Sequence, residues 1–446
     1  MIKNSKEILI TNPRPAIMKR GPKLAIVAIL VIAIIAVGIF IVYQPTPEKE
    51  YLWTHKDETA FYDYSSPALD DEGNLYVGTS HKWYHEANGY SLADHYYVYC
   101  LSQETGEEVW KYDAGPKEIR GGPVLGLNDM LYVVAEAHDN DGFRTTDELI
   151  ALYQNNGTEA WSQVITQEIY RDPAQSSAPP YDQQSGWSLA ILEPAIDEEN
   201  NVYVAGEKFW SFYGNNGTLR WSYEAGARCS SCTVSRDLVL FAGRPMYAMN
   251  KDTGTVNWTY GDSTHRNYRA SISGDGDIIF GRNGYNLTSL DREGNVNWEI
   301  NLGTGPGGIR ANPSIDNDGT IYVGTKNDDN SKLYAINPDG SIKWECTESF
   351  RDLYCSPALA DDGNLYICSE DSKLFIIDME TGVLESEVNL ERDVTWPSPV
   401  INSDGVLFVC DFAGYVYAYQ TESTGLADVP WPTRAGSPER HGFSTS

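Results

Sequence analysis

The residues best suited to bind a ligand recur at one position of a repeated unit. Each lies three residues before the start of a unit, and together they are Tyr64, Arg120, Asn267, Arg310, Tyr354 and Trp396. Guanidinium groups hold anionic groups through forked hydrogen bonds, and aromatic faces stack on sugar-like groups. The alternative is that these side chains form salt bridges and packing contacts in a crowded interior. We predict that they form a binding site for a ligand or partner.

Three long connections supply further binding candidates. They are residues 79–94, 136–148 and 162–190, and they carry aromatic and polar side chains such as Trp83 and His85. Mixtures of this kind suit recognition by surface loops, although loops that merely pack on one another are the alternative. Alternate turns of an antiparallel sheet lie at opposite ends of its strands. If each unit is a four-stranded sheet, the three connections therefore lie on one face.

Other candidate chemistry lacks the spacing that it requires. Cys229-Ser-Ser-Cys232 has the spacing of a zinc or redox pair, but no second pair and no following histidine supports it. The stretch 139–142, Asp-Asn-Asp-Gly, resembles part of a calcium loop but lacks the terminal glutamate. No catalytic triad or carboxylate pair stands out among 63 acidic residues. The sequence therefore predicts no metal site and no catalytic residue.

Two kinds of covalent modification stay open. Seven cysteines cannot all pair within one chain, and Cys100, Cys368 and Cys410 lie in apolar strand runs that predict small buried side chains. Four N-x-[ST] sequences make glycosylation possible at Asn156, Asn216, Asn257 and Asn286.

Internal repetition with a period of about 40 residues is the dominant pattern of the chain. The units start at Pro67, Pro123, Pro194, Cys232, Ala270, Pro313, Pro357 and Pro399. Two residues after each start stands an aliphatic residue: Leu69, Leu125, Ile196, Val234, Ile272, Ile315, Leu359 or Ile401. Each unit reads as four short strands bounded by Gly, Asn and Asp turns. The sequence predicts an all-β fold, an eight-bladed β-propeller of four-stranded antiparallel blades.

Tryptophan marks the last strand of most units. The residues are Trp110, Trp161, Trp221, Trp258, Trp298 and Trp344, and we expect each to pack against the next blade. The seventh unit has Ser386 instead, and the eighth lacks the strand. The stretch "YLWTHK", with Trp53, is a tryptophan strand that precedes every unit. We predict that it completes the last blade and closes the ring, which removes an exposed edge.

The N-terminal part predicts a membrane anchor. Residues 24–43 are 20 residues without a charge, and basic residues dominate the segment before them. We expect a cytoplasmic segment at 1–23, a transmembrane helix at 24–43, a linker at 44–50, the propeller at 51–430 and a C-terminal tail at 431–446. The predicted localisation is the cell membrane, with a single pass and an extracytoplasmic propeller. A cleaved signal peptide is the alternative.

The charge balance excludes one class of partner. The chain has 33 basic and 63 acidic residues and a formal net charge of −30. Nucleic acid binding needs a basic footprint. We therefore predict no nucleic acid partner.

The turn and tryptophan of the unit carry a family resemblance. "AMNKDTGTVNW" at 248–258 and "CLSQETGEEVW" at 100–110 resemble the pyrroloquinoline-quinone (PQQ) repeat, A-x-D-x-x-T-G-x-x-x-W. The quinone dehydrogenases of that family carry adjacent cysteines and further catalytic residues, and this chain has no adjacent cysteines. It looks more similar to non-catalytic relatives, namely the outer-membrane-assembly propeller lipoprotein and prokaryotic surface propellers. The tail "WPTRAGSPERHGF" resembles a segment of those relatives and suggests a cap.

The resemblance implies a binding or scaffold module for an unknown protein or surface polymer, tethered to the membrane and without catalysis. No cofactor is expected, while PQQ stays open. The alternatives are a PQQ-dependent oxidoreductase and a sensor or polymer-processing enzyme of unknown chemistry.

Overall fold

The repeated unit folds as a four-stranded antiparallel sheet. The computed structural model describes residues 51–57, 62, 65–80, 94–119, 121–138, 144–166, 193–206, 208–225, 231–304, 307–390, 397–437 and 441–444. These residues form eight sheets, one for each unit. The predicted eight-bladed β-propeller of four-stranded antiparallel blades is confirmed, and residues 49–446 form one compact unit.

The strands are numbered along the chain, and each blade is listed from its inner to its outer strand. The chain begins with β1 (Tyr51–Lys56). Blades 1 to 4 are β2 (Ala68–Leu69), β3 (Asn74–Gly78), β4 (Tyr97–Ser102) and β5 (Glu108–Asp113); β6 (Lys117–Glu118), β7 (Val124–Leu125), β8 (Met130–His138), β9 (Arg144–Tyr153) and β10 (Glu159–Thr166); β11 (Ala195–Ile196), β12 (Asn201–Ala205), β13 (Lys208–Tyr213) and β14 (Leu219–Glu224); and β15 (Cys232–Ser235), β16 (Leu238–Phe241), β17 (Met246–Asn250) and β18 (Val256–Tyr260).

Blades 5 to 8 follow the same order. They are β19 (Ser271–Ile272), β20 (Ile278–Gly281), β21 (Asn286–Leu290) and β22 (Val296–Asn301); β23 (Ser314–Ile315), β24 (Ile321–Gly324), β25 (Leu333–Ile336) and β26 (Ile342–Glu345); β27 (Ala358–Leu359), β28 (Asn364–Ser369), β29 (Lys373–Asp378) and β30 (Leu384–Asn389); and β31 (Val400–Ile401), β32 (Val406–Cys410) and β33 (Tyr415–Gln420). The last described strand is β34 (Phe443–Ser444), which pairs in parallel with β15.

An aspartate shapes the turn between the first two strands of a blade. In blade 6, Asp316 Oδ1 accepts the backbone N–H groups of Asp318 at 3.0 Å and Thr320 at 2.8 Å. Its Oδ2 accepts the hydroxyl of Tyr322 at 2.9 Å. Aspartate favours turns because its side chain replaces backbone partners in this way. The turn therefore stays tight and ties the first strand to the second.

The core lies between the blades. The aliphatic residues predicted for it, two after each unit start, are all at most 3 % exposed: Leu69, Leu125, Ile196, Val234, Ile272, Ile315, Leu359 and Ile401. Burying side chains of this kind stabilises a fold by roughly 1.5–3 kcal/mol each. One repeated position thus contributes to every interface between neighbouring blades.

Seven tryptophans join one blade to the next. The indole Nε1 of each donates to a backbone carbonyl oxygen in the turn between the last two strands of the following blade, at 2.7–3.0 Å. The indole also lies against the glycine of that turn. These residues are Trp53, Trp110, Trp161, Trp221, Trp258, Trp298 and Trp344. Blade 7 has Ser386 at this position, opposite Ile376.

The N-terminal strand closes the ring. β1 pairs antiparallel with β33, with Tyr51 opposite Tyr419 and Lys56 opposite Tyr415. The sheet order β1-β33-β32-β31 makes β1 the outer strand of blade 8. This is the place that the sequence predicts for "YLWTHK".

The chain after β33 enters the centre of the propeller instead of forming a fourth strand. The inner strands of a propeller surround a central axis. Tail carbonyl oxygens accept N–H groups from the inner strands of four blades at 2.8–3.0 Å: Ile315 donates to Trp431, Leu359 to Pro432, Ile196 to His441 and Val234 to Gly442. The tail therefore lies along the axis and caps inner strands of blades 3, 4, 6 and 7.

The predicted localisation in a membrane is corrected. A membrane-spanning helix needs about 20 predominantly apolar residues in one helix. The described residues form strands and turns, and none of them belongs to a helix that is long and apolar enough to cross a membrane. The predicted transmembrane helix, residues 24–43, lies outside the described residues. The structure therefore does not support the predicted single-pass localisation.

Candidate binding site at the axial mouth

The predicted site residues that the structure describes lie where the chain enters the inner strand of a blade. We call this end of the axis, with Arg310 and Tyr354, the axial mouth. Asn267, Arg310 and Tyr354 belong to the described residues, whereas Tyr64, Arg120, Trp396, Trp83 and His85 lie outside them. The structure thus describes the candidate positions of blades 5, 6 and 7.

Arg310 and Tyr354 come together from neighbouring blades. The guanidinium of Arg310 lies over the ring of Tyr354, 5.5 Å from its centroid. Tyr354 is 8 % exposed, and Arg310 is half-buried. Burial, opposed by Arg310 and reinforced by Asp352, raises the pKa of the Tyr354 hydroxyl well above its ordinary value. The tyrosine therefore stays neutral and offers an aromatic face to the cation.

Arg310 has no carboxylate partner in the described part of the chain. Its Nε is buried without a hydrogen-bond partner there. The nearby acids are engaged elsewhere, since Lys326 Nζ lies 2.9 Å from Asp328 and 3.1 Å from Asp352. Burial alone would lower the pKa of Lys326, but its bonds to both carboxylates outweigh burial and raise it. The mouth thus holds a lysine that is paired with carboxylates and an arginine that can bind an anionic group.

Asn267 has a different role. Its side chain is fully buried, and its Nδ2 donates to the carbonyl oxygen of Gly243 at 3.1 Å. Its backbone N–H donates to the same oxygen at 3.0 Å. These bonds hold the chain between β18 and β19 against the loop after β16. Asn267 therefore holds the backbone of these two segments together, and its side chain does not face an open surface.

The long connections join β3 to β4, β8 to β9 and β10 to β11. The antiparallel order places the described strand ends that border them at the same end of the blades as the mouth. Most of the predicted loop 136–148 is strand, because β8 runs to His138 and β9 begins at Arg144. Three buried carboxylates lie side by side across this hairpin and the adjoining strand β6, on Asp147, Glu136 and Glu118.

A ring of polar residues around the axis was missed by sequence reasoning. Asn312 N donates to Ser356 Oγ at 3.1 Å, Ser356 N to Ser398 Oγ at 2.9 Å, and Ser398 N to Ser66 Oγ at 2.8 Å. Each of these residues lies one position before a unit start. Polar residues recurring at that position were the available signal, since a position next to buried strands is usually apolar.

The ring continues on the other side with a buried ion triad. Glu193 and Arg269 also precede unit starts, and Arg269 Nη1 lies 2.7 Å from Glu193 Oε2. Arg434 of the tail approaches the same carboxylate, with Nη2 2.8 Å from Oε1. All three side chains are at most 8 % exposed. The tail is therefore fixed to the ring by charge as well as by backbone hydrogen bonds.

The remaining sequence candidates take structural places or stay untested. Among the described residues, no group of three His, Cys, Asp or Glu side chains is placed to hold a metal. The six described cysteines, which include Cys100, Cys368 and Cys410, are buried and form no disulfide with one another, while Cys229 lies outside the described residues. Glycosylation stays a prediction: Asn156, Asn216 and Asn257 are exposed, whereas Asn286 Nδ2 donates to Glu299 Oε1 at 3.0 Å.

Known structures share the fold. BamB from Moraxella catarrhalis is 16 % identical, with a TM-score of 0.56 over 83 % of this chain and 98 % of that one. The quinohaemoprotein alcohol dehydrogenase from Comamonas testosteroni is 15 % identical, with a TM-score of 0.57 over 85 % and 77 %. The computationally designed Ika8 protein is 12 % identical, with a TM-score of 0.58 over 82 % and 98 %. No curated protein matches the chain by sequence. Identities this low show the fold alone.

A family model extends the likeness to the sequence. The model described as outer membrane protein assembly factor BamB matches residues 94–181 and 151–383. These matches span well over half of the chain and include six of its seven interblade tryptophans. The chain therefore belongs to the BamB family of PQQ-like β-propellers.

Proposed function

We propose that this chain is a non-catalytic binding or scaffold module that engages a protein or surface polymer through the face of the axial mouth. The family description, an assembly factor, supports a scaffold role. The opposite face carries tight turns such as the one at Asp316, whereas the described strand ends that border the long connections lie on the proposed face. Insertions in surface loops cost little stability and often carry function.

The contact between Arg310 and Tyr354 carries the proposal. In a chain with 30 more acidic than basic residues, a half-buried arginine without a carboxylate partner among the described residues is unusual. The aromatic ring beneath it fixes the direction of its guanidinium, which lowers the entropy lost on binding. A carboxylate, a phosphate or a polar sugar group of a partner fits this arrangement.

The test compares variants of the full chain. Arg310→Ala removes the guanidinium, and Arg236→Ala is the matched control, because Arg236 is an exposed arginine in the β15–β16 turn on the opposite face. Partners are crosslinked in cells that make the protein and quantified by mass spectrometry. Loss of a charge-assisted hydrogen bond of about 1.5–3 kcal/mol predicts roughly tenfold or more weaker capture by Arg310→Ala. Unchanged capture by Arg310→Ala, together with loss of capture by Arg236→Ala, would place binding on the face opposite the axial mouth and contradict the proposal.

A quinone-dependent oxidoreductase is the second candidate, because alcohol dehydrogenases with quinone and haem share the fold. No cofactor is expected for this chain, and PQQ stays open. The tail lies along the described part of the axis, where its Trp431 is fully buried, and this favours the binding module over a quinone enzyme. A stoichiometric quinone spectrum of the reconstituted protein, with dye reduction on addition of an alcohol, would favour the oxidoreductase over the binding module.

A further inference from the structure

The face of the axial mouth is basic in blades 4 and 5, although the chain as a whole is acidic. Five arginines and one acidic residue, Asp262, lie in the connections on this face, which are 242–245, 261–270, 282–285 and 302–313. Three basic and six acidic residues lie in the connections on the opposite face, which are 236–237, 251–255, 273–277 and 291–295. A surface of one sign attracts partners of the other sign. The mouth face of these blades therefore favours an anionic partner.

Two of the five arginines have no carboxylate partner in the described part of the chain. Arg244, between β16 and β17, is half-buried like Arg310. The described arginines that form ion pairs are Arg220, Arg269, Arg282, Arg292, Arg351 and Arg434. Among them, Arg282 of the mouth face is held by Glu299 of β22 at 3.1 Å. Arg244 and Arg310 are therefore the guanidiniums that can bind carboxylates of another molecule.

Backbone contacts hold the basic connections side by side. The Nδ2 atom of Asn267 donates to the carbonyl oxygen of the residue before Arg244, and its backbone forms a bridge with Arg282. The residue after Arg282 forms a second bridge, with Gly308, two residues before Arg310. The connections thus form one continuous surface from blade 4 to the entry of blade 6. Arg244 lies at one end of this surface and Arg310 at the other.

Tyrosine rings orient the guanidiniums of this surface. Three arginines lie over a ring, 5.4–5.6 Å from its centroid: Arg266 over Tyr268, Arg282 over Tyr260 and Arg310 over Tyr354. A ring face that a cation covers is not open for stacking on a neutral sugar. A guanidinium oriented in this way still presents its forked donors, which match the two oxygens of a carboxylate. The surface therefore favours carboxylates over neutral sugar rings.

We propose that this surface binds an acidic segment of a partner protein, whose Asp and Glu carboxylates accept hydrogen bonds from Arg244 and Arg310. This assignment rests on the proposed function, because it names the class of partner for the same face. At physiological ionic strength charges are screened over about 8 Å. A bound segment therefore responds to the nearby arginines more than to the net charge of −30 on the whole chain.

The first test titrates a fluorescein-labelled peptide of eight glutamates with the full chain at physiological ionic strength and follows fluorescence anisotropy. We expect saturable binding by the wild type and none of a peptide of eight glutamines. Arg244→Gln combined with Arg310→Gln should weaken binding roughly tenfold or more, because charge-assisted hydrogen bonds are lost. No saturable binding of the glutamate peptide by the wild type would overturn the proposal.

The matched control is Arg236→Gln combined with Arg292→Gln. It removes the same two charges from turns on the opposite face of blades 4 and 5, so the net charge of the two double variants is equal. We expect the control to bind the peptide as the wild type does. An equal loss of affinity in both double variants would show that the peptide responds to net charge and would contradict the site.

A competition experiment separates an acidic protein segment from an acidic surface polymer. Unlabelled glutamate peptide should displace the labelled peptide at a lower carboxylate concentration than polygalacturonate does. The reverse order would overturn this proposal in favour of a polymer and would leave the proposed function intact. The proposed function fails separately, if partners in cells are captured only through the opposite face.

Discussion

The indole of Trp53 lies directly against Gly106, although Trp53 belongs to the last blade of the ring and Gly106 to the first. Trp53 is in β1, the outer strand of blade 8, and Gly106 is in the turn between β4 and β5 of blade 1. The Trp53 Nε1 donates to the carbonyl oxygen of Gln103 at 2.9 Å. One side chain therefore joins the last blade to the first.

Gly106→Ala should destabilise the propeller. A Cβ at this position would lie 2.4 Å from the Trp53 ring, and the φ of +72° is unfavourable for alanine. We expect a loss of about 1–2 kcal/mol from the backbone and about 1–3 kcal/mol from overpacking. The control is Gly73→Ala, where φ is +90° and no atom lies within 4 Å of the added Cβ. Denaturant unfolding should show a clearly larger loss for Gly106→Ala; equal losses would mean that the indole contact contributes nothing.

Deletion of Tyr51–Lys56 should expose the outer edge of β33. An unpaired β edge invites pairing with another chain, so we expect oligomers in light scattering and a lower unfolding midpoint. Deletion of residues 44–50, which leaves β1 whole, should change neither quantity. A monomer with the wild-type midpoint after loss of β1 would show that the strand does not close the ring.

Glu193→Gln should be strongly destabilising because it removes the buried carboxylate that both Arg269 and Arg434 contact. Breaking a buried ion pair by removal of one partner costs about 3–5 kcal/mol. The surface pair of Arg292 and Asp237 is the control, since Asp237 is 57 % exposed and Asp237→Asn should cost about 1 kcal/mol or less. Similar free energies of unfolding for the two variants would show that the buried triad contributes no more to stability than the surface pair.

The described cysteines should be inert in the native protein. Burial raises the pKa of Cys100 and of Cys232 from 9.0 to about 12, so the reactive thiolate is scarce at pH 8. Mass spectrometry after iodoacetamide treatment should find these residues unlabelled until denaturant is added.

The same pKa shift has a consequence for stability. A thiol whose pKa is raised by folding stabilises the native state in full below pH 9 and loses that contribution as the pH rises from 9 towards 12. In the iodoacetamide experiment, labelling of Cys100 or Cys232 at pH 8 without denaturant would contradict this burial and show that the blades open.

The sequence predicts the blades well because each blade repeats the same local physics. The aliphatic residue two positions after the start recurs in every unit, and the final tryptophan, such as Trp344, recurs in most units, so each copy supports the others. The place of β1 follows from the missing strand of the eighth unit. Arg310 and Tyr354 could be brought together because the register places them at equivalent positions of adjacent blades.

The centre of the propeller could not be predicted in the same way. The tail binds inner strands mainly through backbone groups, which leave no mark on residue type. The contact of Arg434 with Glu193 joins residues 241 positions apart. The strand content of residues 136–148 was also missed, since its polar residues resemble a loop while three buried carboxylates lie in or beside it.

The most direct test of the binding account is site-specific photocrosslinking of the full chain in the cells that make it. A photoreactive benzoylphenylalanine replaces Tyr354 at the axial mouth in one variant and Arg236 on the opposite face in another. The account predicts partner adducts from position 354 and few or none from position 236. Adducts formed only from position 236 would contradict it.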